Sequence, residues 1–252
     1  IEKELKVKYK FNKITTLYNL YDVEAIKKEA QEKEPELPWQ DMDERGKKMR
    51  CLLSMGREDD VKGFWHMLKI FSLVQKRIPE ARLILVGEGS FEEYKKLAEN
   101  LGILKFVCFA GRQSEPYKYL KKGEVYLLTS LNEGFPNALV EGMCLGLAAV
   151  STDCLTGPAE ILLGQANAGW HRKPENKKEN VIYGKYGILV PPMSRGKDLN
   201  AGCILEEEKN MADIIIDLMQ DENKLERYQK AARERAQCFS YEKYVEQFLD
   251  LT

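Results

Sequence analysis

The segment Thr129-Ser-Leu-Asn-Glu-Gly-Phe-Pro-Asn-Ala-Leu-Val-Glu-Gly-Met-Cys-Leu-Gly146 predicts the end of a strand, a tight loop and the start of a helix. Pro136 opens that helix, because its fixed φ suits the first turn and its missing N–H costs nothing there. Free backbone N–H groups and the helix dipole favour an anion at such a junction. Glu133 in the loop and Glu141 in the second helical turn add two carboxylates. The segment therefore offers donors for a phosphate and acceptors for sugar hydroxyls.

The composition excludes several classes of protein. The chain has 252 residues, of which 44% are hydrophobic and 31% charged, which is typical of a globular domain with a sizeable core. A formal net charge of −1 gives no basic field of the kind that nucleic-acid binders have. No apolar run approaches the roughly 20 residues of a membrane span. The chain begins at Ile1 without a signal-like segment, and we expect it to be a fragment whose upstream part is missing.

The cysteines and histidines show no metal-binding pattern. Neither a Cys-x-x-Cys pair nor a Cys/His spacing occurs, and most cysteines fall in apolar runs, which predicts reduced core cysteines of a cytosolic protein. His66, inside a predicted helix, and His171, at the edge of a polar loop, are interpreted as incidental. The six cysteines are Cys51, Cys108, Cys144, Cys154, Cys203 and Cys238.

Strands alternate with helices from Arg50 onward. The predicted strands are Cys51–Met55, Arg82–Val86, Phe106–Ala110, Val125–Thr129, Ala148–Thr152 and Gly187–Val190. The predicted helices are Val61–Arg77, Phe91–Asn100, Glu115–Leu120, one that starts at Pro136, Pro158–Leu163, Glu206–Met219, Glu222–Gln237 and Tyr241–Leu251. Before Arg50 we expect a short strand over Lys13–Tyr18 and a helix capped by Asp22 that runs to about Glu34, and residues 166–180 read as a polar loop.

This alternation predicts an α/β fold, a Rossmann-like parallel sheet with helices on both faces and further helices at the C-terminal end. Ligands of such sheets bind at the carboxyl ends of the strands. Four of the five loops expected there place a glycine next to a polar or charged residue. The five loops are Gly56–Lys62, Gly87–Gly89, Gly111–Glu115, Ser130–Asn137 and Asp153–Glu160.

These loops resemble the nucleotide-sugar-binding half of a GT-B glycosyltransferase of family four, which is a retaining group. The most specific part is Glu133-Gly-Phe-Pro-Asn-Ala-Leu-Val-Glu141, which resembles the family's Glu-x7-Glu element. The supporting pieces, in order, are Met55-Gly56-Arg57 with Lys62-Gly63, Leu83–Gly89, Phe109-Ala110-Gly111, Ser151–Cys154, Gly157–Glu160 and Tyr186–Val190. The resemblance covers roughly Lys13 to Leu251.

The resemblance implies how the chain is divided. The family has two Rossmann-like domains that face each other across a cleft, and this chain resembles only the second, donor-binding one. Residues 1–48 would be the inter-domain connector with a leading strand and helix, residues 49–238 the donor domain, and residues 239–252 the closing helix. The first domain, which binds the acceptor, would be missing, so we expect the fragment alone to be inactive.

The resemblance also implies the roles of the charged residues. Arg57 and Lys62 would bind the donor diphosphate and stabilise the charge that builds on the leaving group, without a metal. Glu141 would accept hydrogen bonds from the ribose hydroxyls. Glu133 would lie beside the donor sugar, as a catalytic group but not as a nucleophile, because a front-face mechanism is favoured in the family. The alternative for the two cations is a solvated pair at a helix start. The alternatives for the glutamates are a solvent-facing helix charge for Glu141 and a loop acid that bonds backbone N–H groups for Glu133.

Other positions would complete the donor site. Gly56 would lie in the loop after the first strand. Backbone contacts would come from Gly134, Phe135, Pro136 and Asn137, and Asn137 could also reach the sugar or phosphate through its side chain. Glu88 and Arg112 lie at the strand ends where the base should bind. Gly157 and Glu160 are interpreted as turn and capping residues. The lysines and tyrosines interleaved over residues 6–21 favour a connector with one solvated face over a nucleic-acid or membrane patch.

The resulting expectation is the donor-binding domain of a retaining glycosyltransferase. It would move a hexose or N-acetylhexosamine from a nucleoside-diphosphate sugar, UDP by preference, to a glycan or lipid-linked acceptor in surface polysaccharide biosynthesis. Its partners would be the donor, the acceptor and the missing N-terminal domain, with no cofactor, metal or nucleic acid. The location would be the cytoplasm, with attachment to the inner face of the membrane through the missing domain left open.

Other functions on the same fold stay as alternatives. A GT-B nucleotide-sugar epimerase would need further acid/base residues, and a phosphorylase would need a cofactor-binding lysine signature; the sequence shows neither. A non-catalytic nucleotide-binding or assembly module, or one half of a split enzyme, is the third alternative. The presence of Arg57, Lys62, Glu133 and Glu141 argues against loss of turnover.

Overall fold

A computed structural model describes residues 2–10, 14, 16–42, 45–165 and 181–250, and within them the chain builds one seven-stranded sheet. The strand order is β3-β2-β1-β4-β5-β7-β6. All neighbouring strands are parallel except β6 and β7. The strands are β1 (Arg50–Met55), β2 (Ala81–Val86), β3 (Val107–Gly111), β4 (Gly123–Leu128), β5 (Ala148–Thr152), β6 (Ile182–Tyr183) and β7 (Ile188–Val190).

Helices cover both faces of this sheet. They are α1 (Glu2–Tyr9), α2 (Val23–Glu32), α3 (Phe64–Arg77), α4 (Glu92–Asn100), α5 (Tyr117–Leu120), α6 (Asn137–Cys144), α7 (Gly157–Leu163), α8 (Glu206–Gln220), α9 (Glu222–Gln237) and α10 (Tyr241–Leu249). Short 3₁₀ turns occur at Asp60–Lys62 and Leu104–Phe106. The predicted α/β fold is therefore confirmed.

The sheet separates two apolar layers. Consecutive strand residues point to opposite faces, so Leu52 packs with α3, α4 and α8 while Leu53 packs with α2, α5, α6 and α7. Both leucines are fully buried. Because each strand is covered on both sides, its sequence is apolar at nearly every position, and this continuous run made the strands visible in the sequence.

The strand order reverses between β1 and β4. The chain runs from β1 outward to β2 and β3, and then returns to continue from β4 to β5 on the other side. The loops that follow β1 and β4 therefore diverge and leave a crevice at the carboxyl ends of the two strands. Residues 56–62 and 130–136 form its two walls.

Several local predictions were wrong. Ile14 and Thr16–Tyr18 form no strand; the other residues of the predicted strand Lys13–Tyr18 lie outside the described residues, as do residues 166–180 with His171. The helix predicted from Val61 begins only at Phe64, because Gly63 adopts a left-handed φ of 62°. The helix α1 and the two-residue strand β6 were not predicted, since neither has a periodic apolar pattern.

Four of the six cysteines are buried, as the apolar runs predict. They are Cys51, Cys108, Cys144 and Cys154, while Cys203 is half-buried and Cys238 is exposed. Burial raises the pKa of the Cys108 thiol to about 11. None of the helices in the described ranges is long and apolar enough to cross a membrane.

Candidate functional site

A cleft of about 480 Å³ lies at the carboxyl ends of β1 and β4. It brings together eight of the eleven residues that the sequence singled out for donor binding. These are Gly56, Arg57, Lys62, Glu133, Phe135, Pro136, Asn137 and Glu141. We refer to this space as the phosphate-side cleft.

Backbone contacts fix the two loops that form the walls of this cleft. Leu131 donates its backbone N–H to the carbonyl of Val61 at 2.8 Å. The hydroxyl of Thr129 donates to the carbonyl of Lys62 at 3.0 Å. A Cβ on Gly63 would lie 2.5 Å from the carbonyl oxygen of Thr129, so this close approach of the two loops requires glycine. The sequence thereby sets the position of Lys62 relative to the segment after β4.

Lys62 and Glu133 form an ion pair across the cleft. The Nζ of Lys62 is 2.7 Å from Oε1 of Glu133, and the two side chains are 24% and 11% exposed. The hydroxyl of Ser130 donates to the same carboxylate oxygen at 2.7 Å. The backbone of Glu133 is also held, since its N–H donates to Leu155 at 3.0 Å. The carboxylate therefore has a fixed position, and an incoming anion meets a lysine that already has a partner.

Arg57 is placed differently from Lys62. Its side chain is 75% exposed, and its Nη2 lies 3.8 Å from Oδ2 of Asp59, at the limit of an ion pair. An exposed, loosely paired guanidinium can reorient toward a bound phosphate at low cost, and it can bind two oxygens at once.

The N-terminus of α6 opens into the same cleft. Pro136, predicted as the first helical residue, occupies the N-cap position, so the helix begins one residue later at Asn137, and no side chain from the described residues caps it. The first turn contains no acidic residue. An uncapped helix end exposes backbone N–H donors and the positive end of the dipole, which is the environment an anion requires.

Glu141 lies one turn further along α6 and is half-buried. Burial raises the pKa of its carboxyl above the usual range, and the charge of Glu29 adds to this effect, while a hydrogen bond from Tyr117 opposes it. That hydrogen bond is long, 3.5 Å from the Tyr117 hydroxyl to Oε1. The carboxylate is thus under-solvated and has acceptor capacity left for another hydroxyl.

A second cleft of about 710 Å³ adjoins the first and shares Asn137 and Glu141 with it. One wall is the segment Leu17–Asp22, and α2 and Tyr117 form others. We refer to this space as the connector-side cleft. Glu29 lies in it, with one buried carboxylate oxygen that has no hydrogen-bond partner among the described residues.

The connector contributes to the site, which its sequence did not indicate. Asn19 and Tyr21 both donate hydrogen bonds to Oδ1 of Asn137, at 2.7 and 2.6 Å. The hydroxyl of Tyr18 donates to Oε2 of Glu160 at 2.8 Å. The only signal in the sequence was the spacing of Tyr18 and Tyr21, which was interpreted as part of a solvated connector.

An aromatic cluster anchors the loop after β4. The ring of Phe135 stacks on Tyr18 with 5.2 Å between centroids and meets Phe239 edge-on at 5.5 Å. Arg235 lies over Phe239 at 4.5 Å. The side chain of Phe135 thus packs against both the connector and the C-terminal segment.

Three predicted residues do not line either cleft. Glu88 and Arg112 lie at the ends of β2 and β3, 68% and 79% exposed, with Nη1 of Arg112 3.8 Å from Oε1 of Glu88. Gly134 is exposed, and its carbonyl packs against Gly157, where a Cβ would come within 2.5 Å. Gly157 is the first residue of α7 and not a turn residue, and this close approach gives it a packing role.

His66 is fully buried and has partners on both ring nitrogens. Its Nδ1 lies 2.6 Å from Oε1 of Glu208, and its Nε2 lies 2.9 Å from the carbonyl of Ser194. These contacts join α3 to the start of α8, in agreement with a packing role. The described residues contain no group of three or more His, Cys, Asp or Glu side chains that could hold a metal ion.

Comparison with known families gives one match over the centre of the chain. The family model described as "Glycosyl transferases group 1" matches residues 39–182. This span contains both loops of the phosphate-side cleft and the whole of α6.

Two proteins with similar sequences are both longer than this chain. An uncharacterized glycosyltransferase of Methanocaldococcus jannaschii is 36% identical over 200 residues, which cover 78% of this chain and 48% of the relative. A Campylobacter jejuni protein is 31% identical over 150 residues, covering 59% and 37% of the two chains. Its name is N-acetylgalactosamine-N,N'-diacetylbacillosaminyl-diphospho-undecaprenol 4-alpha-N-acetylgalactosaminyltransferase. The chain therefore spans half or less of the length of these relatives.

Solved structures share the fold. A variant of the S. aureus protein TarM, crystallised with UDP, fondaparinux and alpha-GlcNAc-glycerol, superposes with a TM-score of 0.66. The superposition covers 99% of this chain and 42% of TarM, at 19% sequence identity. At this identity the likeness shows a common fold.

Proposed function

Because the chain belongs to the glycosyl transferases group 1, we propose that it is the donor-binding part of a glycosyltransferase that uses a nucleoside-diphosphate sugar. One observation carries the proposal. Two cations, an uncapped helix N-terminus and two carboxylates border one cleft at the strand-order reversal of the sheet. A diphosphate needs the first two features, and sugar hydroxyls need the third.

The diphosphate would lie between Arg57, Lys62 and the start of α6. As the bond from the sugar to the diphosphate breaks, negative charge grows on the leaving oxygens. Fixed positive groups stabilise that charge more strongly in the transition state than in the ground state. Two side-chain cations and the helix N-terminus would provide this stabilisation without a metal.

The two glutamates would act on different parts of the donor. Glu141 would accept hydrogen bonds from the ribose hydroxyls, because its half-buried carboxylate has unused acceptor capacity. Glu133 would face the donor sugar and stabilise positive charge at the anomeric carbon. Its ion pair with Lys62 supports this role, because it would hold the carboxylate at the boundary between the sugar and the phosphates. We propose transfer with retention, in which the leaving phosphate helps to deprotonate the acceptor.

The comparisons favour a particular donor and acceptor class. TarM was crystallised with UDP, and the C. jejuni relative is named as an N-acetylgalactosaminyltransferase that acts on a diphospho-undecaprenol-linked sugar. We propose UDP as the nucleotide, a hexose or N-acetylhexosamine as the sugar, and a glycan or lipid-linked acceptor in surface polysaccharide biosynthesis. Since the relatives are about twice as long, a second domain would bind the acceptor and could attach the enzyme to the inner face of the membrane.

Binding calorimetry tests this function. UDP, GDP, ADP and CMP are titrated into the 252-residue chain in the presence of EDTA, alongside the Glu141→Ala variant. We expect metal-independent binding of UDP that the substitution weakens by about 1–3 kcal/mol, the range for a charged hydrogen-bond partner. Failure of all four nucleotides to bind the parent chain would contradict a donor site in this chain.

A further inference from the structure

Asn137 occupies the boundary between the two clefts. It is the first residue of α6, its side chain is exposed, and it lines both the phosphate-side and the connector-side cleft. Its neighbours on the phosphate side include Arg57 and Lys62. A side chain at this position can contact a ligand in the cleft while it is held from the other side.

The connector fixes the oxygen end of the Asn137 amide. Oδ1 accepts two hydrogen bonds, from Nδ2 of Asn19 at 2.7 Å and from the hydroxyl of Tyr21 at 2.6 Å. Tyr21 is itself immobilised, because its side chain is buried and its backbone N–H donates to the carbonyl of Phe239 at 2.9 Å. With two donors in place, the acceptor capacity of Oδ1 is filled.

The nitrogen end of the same amide is left unpaired. Nδ2 carries two N–H donors and has no acceptor among the described residues. Oxygen and nitrogen point in different directions from the amide carbon, so an oxygen directed at the connector leaves the nitrogen for the phosphate-side cleft. The amide would otherwise have two equivalent orientations, of which only one presents donors to an anion.

We infer that Asn19 and Tyr21 are positioning residues, which orient the Asn137 amide so that Nδ2 donates to an anionic oxygen of the donor diphosphate. This inference rests on the proposed donor site. It assigns the Asn137 contact to the diphosphate through Nδ2, and it adds two residues that act only through Asn137. It also gives the connector a role in the affinity for the nucleotide.

A double-mutant cycle with UDP as the probe tests this arrangement. Asn137→Ala removes the donor, and Tyr21→Phe removes one hydroxyl while the ring stays in place. We expect Asn137→Ala to weaken UDP binding about 10-fold or more, in the range for a hydrogen bond to a charged group, and Tyr21→Phe to weaken it about 3-fold. Because Tyr21 acts through Asn137, Tyr21→Phe should have no further effect in the Asn137→Ala background.

Two more variants sharpen the result. Asn137→Asp keeps an acceptor for Asn19 and Tyr21 but places a charged oxygen where Nδ2 was, so it should weaken UDP binding more than Asn137→Ala does. Tyr241→Phe removes an exposed hydroxyl from the C-terminal segment that packs along the connector, and it should leave the affinity unchanged. Thermal unfolding of each variant identifies any loss that comes from misfolding.

The possible results distinguish the positioning role of Asn19 and Tyr21 from the proposed donor site itself. UDP binding by the parent chain, with losses that are not additive in the double variant, supports the inference. Equal losses from Tyr21→Phe in both backgrounds, or none in either, overturn it and leave the donor site standing. Absence of UDP binding by the parent chain overturns the donor site and the inference together.

Discussion

Lys62 and Glu133 are joined by a 2.7 Å ion pair. The pair links the loop after β1 to the loop after β4, and it partly neutralises a cation that the donor phosphates would need. Within the site, the carboxylate of Glu133 therefore competes with the donor phosphates for Lys62.

Glu133→Gln should tighten the binding of UDP and weaken the preference for a UDP-sugar. The substitution releases Lys62 from a carboxylate partner, which should increase the affinity for UDP by about 3- to 10-fold, equivalent to roughly 1 kcal/mol. The sugar loses a charged partner at the same time. Titration of UDP and UDP-N-acetylglucosamine into the parent and the variant measures both effects.

Glu92→Gln is the matched control for the change in net charge, since Glu92 is an exposed residue of α4. It should alter neither affinity. A Glu133→Gln protein that binds UDP more weakly than the parent would show that the ion pair supports the phosphate site and does not compete with it.

Arg57→Ala should reduce the affinity for UDP by about 10- to 100-fold, the range of a charged hydrogen bond. The affinity for uridine should stay within about 2-fold of the parent value, because no phosphate is present to contact the guanidinium. The variant should fold normally, since the side chain is 75% exposed. Equal losses for the nucleotide and the nucleoside would remove Arg57 from the phosphate site.

Glu141→Gln should stabilise the unliganded protein at neutral pH and weaken its binding of UDP. Burial raises the pKa of Glu141 in the folded chain, so the ionised form opposes folding. This opposition is absent below the unfolded pKa of about 4.3 and complete above the raised folded pKa. Urea unfolding at pH 7 should therefore show a higher midpoint for the variant, and the difference should shrink as the pH is lowered.

The same carboxyl should make ribose binding depend on pH. As the pH falls through the raised pKa of Glu141, the affinity for UDP should decrease. The terminal phosphate of UDP also titrates at about pH 6. A 2′,3′-dideoxy analogue has the same diphosphate but no ribose hydroxyls, so it serves as the reference. If both ligands follow the same pH profile, Glu141 does not contact the ribose.

Gly63→Ala should destabilise the fold more than Gly102→Ala. Both glycines have left-handed φ values, 62° and 72°, but a Cβ on Gly63 meets the carbonyl of Thr129 at 2.5 Å, while a Cβ on Gly102 meets nothing within 4 Å. The φ strain alone costs about 1–2 kcal/mol in either variant. Urea unfolding should show that cost for Gly102→Ala and a clearly larger one for Gly63→Ala. An equal loss of stability in the two variants would mean that the loop after β4 moves away from the added Cβ at no measurable cost.

The sequence predicted the fold because its main elements are long and repetitive. The buried strands from β1 to β5 are continuous apolar runs, and α3, α8 and α9 have regular apolar spacing. The strand β6 has only two residues, which is too short to show any period. Gly63 shows how one backbone position can shift a helix start that the apolar pattern placed earlier.

The site could be predicted only where it is local. Arg57, Lys62 and Glu133 follow strands and Glu141 lies one turn into the helix after β4, so the topology brings all four to one edge of the sheet, while their roles stay predictions. The hydrogen bond between the side chains of Asn19 and Asn137 joins residues that are 118 positions apart, and no local sequence pattern predicts such a contact. Glu88 and Arg112 follow strands too, but these strands lie further from the reversal point.

The contact of Tyr21 with Phe239 and Ser240 has a consequence for the biosynthesis of the protein. The connector leaves the ribosome among the first residues of this sequence, yet its hydrogen-bonding partner is translated more than 200 residues later. The sheet and its two loops can assemble in the meantime, but the connector wall of the site cannot. A nascent chain arrested before Phe239 should hold a folded sheet beside an unfinished pocket, and this pocket closes only after Phe239 and Ser240 have been synthesised.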